Sequence, residues 1–181
     1  RGLGDVYKRQ VGCVWSVGAA AYLPYKTSFN REVIGVLDFG GNTINCMIYD
    51  RGNLLKDTIS TLDLGMIKLE RKIIDTLNIE TGWNLQDYEV RDIIERGECK
   101  QAVDKCIREH IKQIKQRLLE KKWNIDRLTI FATGGGSQQL NEHLKKEFRG
   151  VIVSQNGLWD NLNGLKIVGG EVYGKETYQR N

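Results

Sequence analysis

Two hydrophobic periods divide the chain. Val33–Phe39 is a β-rich apolar run, and residues 44–49 alternate Ile44, Cys46 and Ile48 against Asn45, Met47 and Tyr49. Asp50-Arg51-Gly52-Asn53 has turn composition, and residues 54–60 then pair back. This pattern predicts a three-stranded meander whose first turn is the pair Gly40-Gly41. Downstream the period becomes helical. Residues 64–77 form a helix capped at Asp63 or a neighbour, with Met66, Ile67, Ile73, Ile74 and Leu77 inward. Residues 85–96 form a second, capped by Asn84 and stopped by Gly97. Residues 98–122 form the longest, with Val103, Ile107, Ile111, Ile114 and Leu118 on its inner face and a solvated lysine-rich outer face.

The last third alternates strand and helix. Residues 127–132 read as a strand, TGGGS follows, and residues 138–148 read as a helix. A short strand at 151–154 precedes a small helix at 163–173, with close contacts expected at Gly164, Gly169 and Gly170. Near the start, residues 11–23 form an Ala-rich helix ending before Pro24, the only proline, and a polar loop leads to Glu32. A sheet with helices on one or both sides is an α/β fold.

Residues 1–10, RGLGDVYKRQ, follow neither period. The string resembles the end of a transposon-type sequencing adapter translated in frame, so it is set aside from fold reasoning. The expectation is an adapter-derived segment joined at Val11 to a chain that is itself a fragment. This changes the charge picture. The formal net charge is +4, and Arg1, Lys8 and Arg9 against Asp5 supply half of it. A remainder this small argues against a nucleic-acid-binding patch. The four cysteines, Cys13, Cys46, Cys99 and Cys106, form no C-x-x-C pair. With no secretory apolar region in view they read as reduced thiols of a cytoplasmic protein. No apolar run approaches a membrane span.

The first candidate site is VLDFGGNTINCMIYD. An apolar strand delivers Asp38, and two glycines let the backbone turn tightly and approach a ligand. Successive N–H groups in such a turn suit phosphate oxygens. Asp38, at the strand end, is placed to hold Mg²⁺ through water. A plain hairpin turn also uses Gly-Gly. No Walker loop is present, and the strand-to-strand pattern is not a Rossmann turn. The second candidate is RLTIFATGGGSQQLNEHL, in which strand, triple glycine and helix follow in order. Bare backbone there admits a ribose or a planar base, and the helix N-terminus at Gln138 offers N–H groups to phosphate. An ordinary βα loop is the bland alternative. His110 and His143 have no partner at ligand spacing and read as core edge or surface, and Trp83, Trp123 and Trp159 as packing residues at helix ends.

Together, a D-x-G-G-x-T hairpin, intervening helices and strand–TGGGS–helix resemble the actin-like ATPase superfamily. Within it the closest resemblance is to plasmid-segregation proteins of the ParM/StbA type and to related bacterial or phage actin-like proteins. STLDLGMIKLERKIIDTL resembles the strand end and helix after the hairpin. WSVGAAAYL resembles the first connecting helix between lobes, with Gly18-Ala19 as its close-packing pair, and NLNGLKIVGGEVYG the second. The resemblance covers residues 11–175 and leaves 176–181 as a tail. It implies an actin-like, ribonuclease H-like lobe: a mixed sheet with an N-terminal meander and flanking helices, the C-terminal nucleotide-binding half of a two-lobed protein with ATP between the lobes.

The resemblance also implies roles. Asp38 would orient Mg²⁺-bound water, as catalytic residue and as metal site. Gly40, Gly41, Asn42 and Thr43 would hold the β- and γ-phosphates. Gly134, Gly135, Gly136 and Ser137 would pack on the adenosine, and Glu89, Arg91 and Asp92 lie on a helix that passes near the adenine. Relatives carry a Gln or Glu just before the Gly-Ala pair. Here Trp15 or Ser16 stands there, neither supplies a carboxylate or amide, and no general base is assigned. The implied function is an ATP- and Mg²⁺-dependent ATPase, active when full length. It would form polar head-to-tail filaments that move plasmid or phage DNA through an adaptor protein, with no direct contact to nucleic acid or membrane. A small-molecule kinase of the same superfamily, with a sugar or acid acceptor, is the alternative. Either reading requires Gly41 and Gly135 to face one hollow.

Overall fold

Three strands of alternating or continuous apolar character form the expected meander. β1 is Val33–Phe39, β2 is Ile44–Asp50 and β3 is Asn53–Leu62, each antiparallel to the one before. β4 (Thr129–Thr133) then adds beside β1 in parallel, and β5 (Ile152–Val153) adds in parallel to β4. The mixed sheet therefore has the order β3-β2-β1-β4-β5. The computed structural model describes the backbone of residues 20–177 and the side chains of residues 20–170. The expectations for residues 1–10, for Trp15 and Ser16, for the Gly18-Ala19 pair, for Cys13 and for most of the first helix lie outside the described residues.

Both faces of the sheet are covered at β1, as its continuous apolar run requires. Leu37 and Phe39 point into a large core with Ile44, Cys46, Ile130 and Ala132. That core is closed by helix α1 (Met66–Thr81) and by α3 (Lys100–Glu120), with α2 (Val90–Arg96) between them in sequence. Trp123 packs beneath Gly35, where a Cβ would stand 2.7 Å from the indole. Ile34 and Val36 point to a second core of Tyr22, Met47, Tyr49 and Phe131, in which the Tyr22 and Tyr49 rings stack at 4.1 Å. The described residues close with α4 (Gly135–Gln139), α5 (Asn141–Glu147) and α6 (Gly157–Thr177). A 3-10 turn at Leu23–Tyr25 contains Pro24 and follows the helical residue Ala20. Among the described residues no helix is long and apolar enough to cross a membrane.

The structure corrects several boundaries, each for a local reason. α1 begins at Met66 because Leu64 and Gly65 stay outside the helix, and no side chain caps it, Asp63 included. α2 begins at Val90. Asn84 does not cap it, because residues 82–89 are held irregular by Asn78 Oδ1 accepting from Leu85 N–H and Glu89 Oε2 from Gln86 N–H. Gly97, at φ +70, ends it as expected. The single helix expected from Gln138 is two, because helical structure starts inside the glycine run and breaks at Leu140. α6 starts at Gly157 rather than residue 163; its first turns bury Gly157 and Asp160 and expose Leu158, Trp159 and Leu162, which hides the apolar period.

His110 is fully buried, its Nε2 3.0 Å from the Leu64 carbonyl, and His143 pairs with Asp104 at 3.1 Å. Of the tryptophans Trp123 is core at 3% exposure, while Trp83 (43%) and Trp159 (58%) are exposed. Gly164 packs so tightly on Ala20 that a Cβ would stand 1.7 Å from its carbonyl oxygen, but Gly169 and Gly170 have nothing within 4 Å.

Candidate functional site

Parallel pairing of β1 and β4 decides where the two glycine turns emerge. Asp38 and Thr133 are register partners, so residues 40–43 and 134–136 leave the sheet at the same edge, beyond the carboxyl ends of adjacent strands. Open α/β sheets bind ligands in that position.

The first turn is locked by its carbonyls. Gly40 N–H donates to Thr43 O at 2.9 Å, and the carbonyls of Gly40, Gly41 and Asn42 accept from Met66, Ile67 and Gly65 N–H at 3.1, 2.9 and 3.1 Å. The hairpin thus caps α1 with backbone, satisfying donors that every helix start leaves open. Gly65 permits the approach: a Cβ there would stand 2.2 Å from the carbonyl carbon of Asn42.

The second turn is locked by Gly134. Its φ of +84° and ψ of 159° belong to a region essentially reserved for glycine. A Cβ on it would also lie 2.6 Å from Asp38 Oδ1 and 2.5 Å from Phe39 O. Ser137 donates through both N–H (3.1 Å) and Oγ (2.8 Å) to the Gly134 carbonyl. Gly157, at the start of α6, packs on Gly134 from the other side.

Between the turns lies a hollow of about 530 Å³. Asp38, Gly40, Gly41, Gly134, Gly135 and Gly136 all line it. Gly41 and Gly135, required to share a hollow, do so. Asn42, Thr43 and Ser137 are not among its lining residues, since the turn and the Ser137 hydroxyl are engaged with local backbone. Arg91 lines the hollow, its Nε 3.3 Å from Glu70 Oε1. Glu89 and Asp92 do not; one is held at the start of α2 and the other pairs with Arg96. The walls also include Asn45, Met66, Ile67, Gln139, Leu158 and Asn161. These escaped sequence reading because they come from four separate segments. For Asn161 a signal existed: it stands four residues after Gly157 and three before Gly164, on the helix face that packs closely.

Glycine at Gly41 and Gly135 has no structural explanation. Neither has a positive φ, and an added Cβ would meet only Ile67 Cδ1 at 3.7 Å or Leu158 Cδ1 at 3.4 Å. Both positions line the hollow, and the only neighbours an added Cβ would touch, Ile67 and Leu158, are walls of that same hollow.

Asp38 is the hollow's buried carboxylate, 5% exposed. Burial pushes its pKa up; hydrogen bonds from Asn161 and Asn45 pull it down, and the nearby Asp160 charge adds to the rise. Asp160 is itself buried but satisfied, with Oδ2 accepting from Thr133 Oγ1 at 2.6 Å and Oδ1 from Tyr25 OH at 2.8 Å. No group of three or more His, Cys, Asp or Glu side chains among the described residues could hold a metal directly. A cation at Asp38 would therefore keep most of its water, which suits Mg²⁺.

Comparison with known proteins places this geometry in a fold. No family model and no curated protein matches the sequence. Solved structures do. The apo pSK41 ParM protein superposes with a TM-score of 0.63 at 20% identity, over 82% of this chain and 44% of that one. The Alp12 filament structure gives 0.66 at 20%, over 87% and 53%. MreB5 of Spiroplasma citri bound to AMPPNP gives 0.72 at 13%, over 90% and 60%. The chain has the fold of these actin-like proteins, as its mixed sheet with flanking helices predicts, and spans about half the length of the structures it matches.

Proposed function

We propose that this chain is the nucleotide-binding C-terminal lobe of an actin-like filament protein, taking Mg²⁺ and ATP. One observation carries the reading: two glycine turns and a buried carboxylate meet in one hollow, and two of the glycines are bare toward that hollow without a packing reason. MreB5 with AMPPNP and an archaeal actin homologue, Ta0583, with ADP share the fold and are nucleotide complexes.

In this reading the backbone of Gly40 and Gly41 faces the phosphates, with Asn42 and Thr43 holding the turn's shape. Gly135 and Gly136 receive the adenosine, and Gly134 and Ser137 set the path of that loop. Arg91 and Glu70 form a charged wall of the same hollow. Asp38 orients water on Mg²⁺, and the ion, when bound, neutralises phosphate charge. The catalytic Gln or Glu is not assigned. Self-association into a head-to-tail filament follows the filament-forming neighbours ParM and Alp12. Carriage of plasmid or phage DNA through an adaptor, in the cytoplasm, follows the ParM-type resemblance of the motifs.

Sedimentation of the full-length protein tests this. Pelleting with Mg²⁺-ATP and loss of the pellet without it is expected. A protein that stays in the supernatant and consumes ATP only when given a sugar or acid acceptor is a kinase instead.

A further inference from the structure

α1 and α3 lie antiparallel. Cys106 Sγ donates to Thr76 Oγ1 at 3.3 Å, and Lys72 Nζ to Glu109 Oε2 at 2.6 Å. The last turn of α1, residues 82–89 and α2 therefore gather at the first turns of α3. There Ile79 is 84% and Tyr88 80% exposed, with Trp83 exposed between them in sequence. Large apolar side chains grouped in solvent mark a contact surface. Residues 75–98 around them hold seven carboxylates and two arginines, a net charge of −5. Glu80, Asp87 and Glu95 are exposed, and none forms an ion pair among the described residues.

The other end of α3, about 30 Å away along 21 residues of helix, is the complement. Leu119 is exposed there. Residues 111–127 hold six lysines and arginines and two carboxylates, a net charge of +4. Lys121, Lys122 and Arg127 are exposed and form no ion pair among the described residues. Acidic end against acidic end, or basic against basic, would set like charges together, which opposes a two-fold contact between copies at either end. Acidic end against basic end pairs opposite charges and leaves each copy one end free for the next.

We propose that the acidic end, built on Ile79, Trp83 and Tyr88, docks on the basic, Leu119 end of a second copy of this chain, with carboxylates and lysines paired around an apolar centre. The inference rests on the filament reading and gives that filament its contact surfaces and its polarity. Aromatic side chains at the middle of such a contact carry most of its energy, and the surrounding charges select the partner and fix its orientation.

The test is pelleting of the full-length protein with Mg²⁺-ATP. Two triple variants are compared with wild type: Glu80→Lys, Asp87→Lys and Glu95→Lys reverse the acidic end, and Lys121→Glu, Lys122→Glu and Arg127→Glu reverse the basic end. Calorimetry with ADP first shows that each is folded, with affinity expected within about twofold of wild type because the changes lie far from the hollow. Each triple variant alone should stay in the supernatant at about ten times the protein concentration at which wild type pellets. Mixed in equal amounts the two should pellet, since every contact between unlike copies again joins opposite charges. Trp83→Ala, which changes no charge, should raise the concentration needed for pelleting about tenfold. Should a triple variant fail to bind ADP, wild type supplies the same comparison: the concentration it needs should rise severalfold between about 50 and about 300 mM salt. Triple variants that bind ADP and pellet alone as wild type does overturn this inference and leave the filament reading standing. So does a mixture that stays in the supernatant, a Trp83→Ala protein that pellets as wild type does, or a wild type indifferent to salt. A wild-type protein that does not pellet overturns the filament reading, and this inference with it.

Discussion

Gly134 and Gly135 are adjacent and answer to different demands. At Gly134 a side chain would strain the backbone and strike Asp38 and Phe39. Gly134→Ala should therefore cost roughly 1–3 kcal/mol or more of stability, readable as a lower urea midpoint. At Gly135, the first residue of α4, alanine is a better helix former and meets only Leu158 at 3.4 Å. Gly135→Ala should leave stability unchanged or raise it by up to about 1 kcal/mol, while weakening nucleotide binding. Equal stability losses at the two sites would show that packing, not a ligand, accounts for both glycines. His110 supplies a second test at this scale. Burial lowers its pKa from the ordinary 6.5, partly opposed by the bond to Leu64 O and reinforced by Lys72 and Lys68. The unfolded chain thus takes up the proton more readily. The stability that depends on neutral His110 is present above the ordinary value and is lost as pH falls through the lower, folded one. Denaturant melts at about pH 7.5 and about pH 5.5 should show a smaller acid loss in His110→Gln than in wild type. The sequence marked both glycine turns. It could not separate the glycine that packing requires from the glycine that packing leaves free, because the difference lies in the folded backbone angles of Gly134 and in atoms contributed by Asp38, Phe39 and Leu158.

Among the elements, α6 holds the assembly around the site. Its first turns meet β4 through Asp160 and Thr133, the second glycine turn through Gly157, and the segment before the sheet through Tyr25 and Gly164. Tyr25→Phe removes one donor to a buried carboxylate and should cost about 1–3 kcal/mol, measured by thermal or chemical melting. A change within about 0.5 kcal/mol would mean that the Asp160 bridge does not hold α6 in place. This helix was also the least legible element. β1 matched its apolar run end to end, and the inner face of α3 followed its period. α6 instead buries Gly157, Asp160 and Gly164 on its inner side and exposes Leu158, Trp159 and Leu162. Hydrophobic periodicity therefore placed its start six residues late. The same reason hid Asn161, since an inward polar residue looks like a solvated one until its partner is known.

For the molecule as a whole, the proposal stands on Asp38 and the edge of the sheet where it lies. Asp38→Ala in the full-length protein should abolish Mg²⁺-ATP turnover and nucleotide-dependent pelleting together; unchanged turnover removes Asp38 from the site. Much of this architecture could be read from residue order alone: the meander, the α/β class, and two glycine turns separated by helices are local patterns, set by side-chain period and by the backbone freedom of glycine. The tertiary structure decided what those patterns mean in combination. Parallel pairing of β1 with β4, strands separated by about ninety residues of chain, brings the turns to one edge. The packing of α6 against both strand ends adds Asn161 to Asp38. Such juxtapositions depend on which distant segments share a core, and no local period encodes that choice.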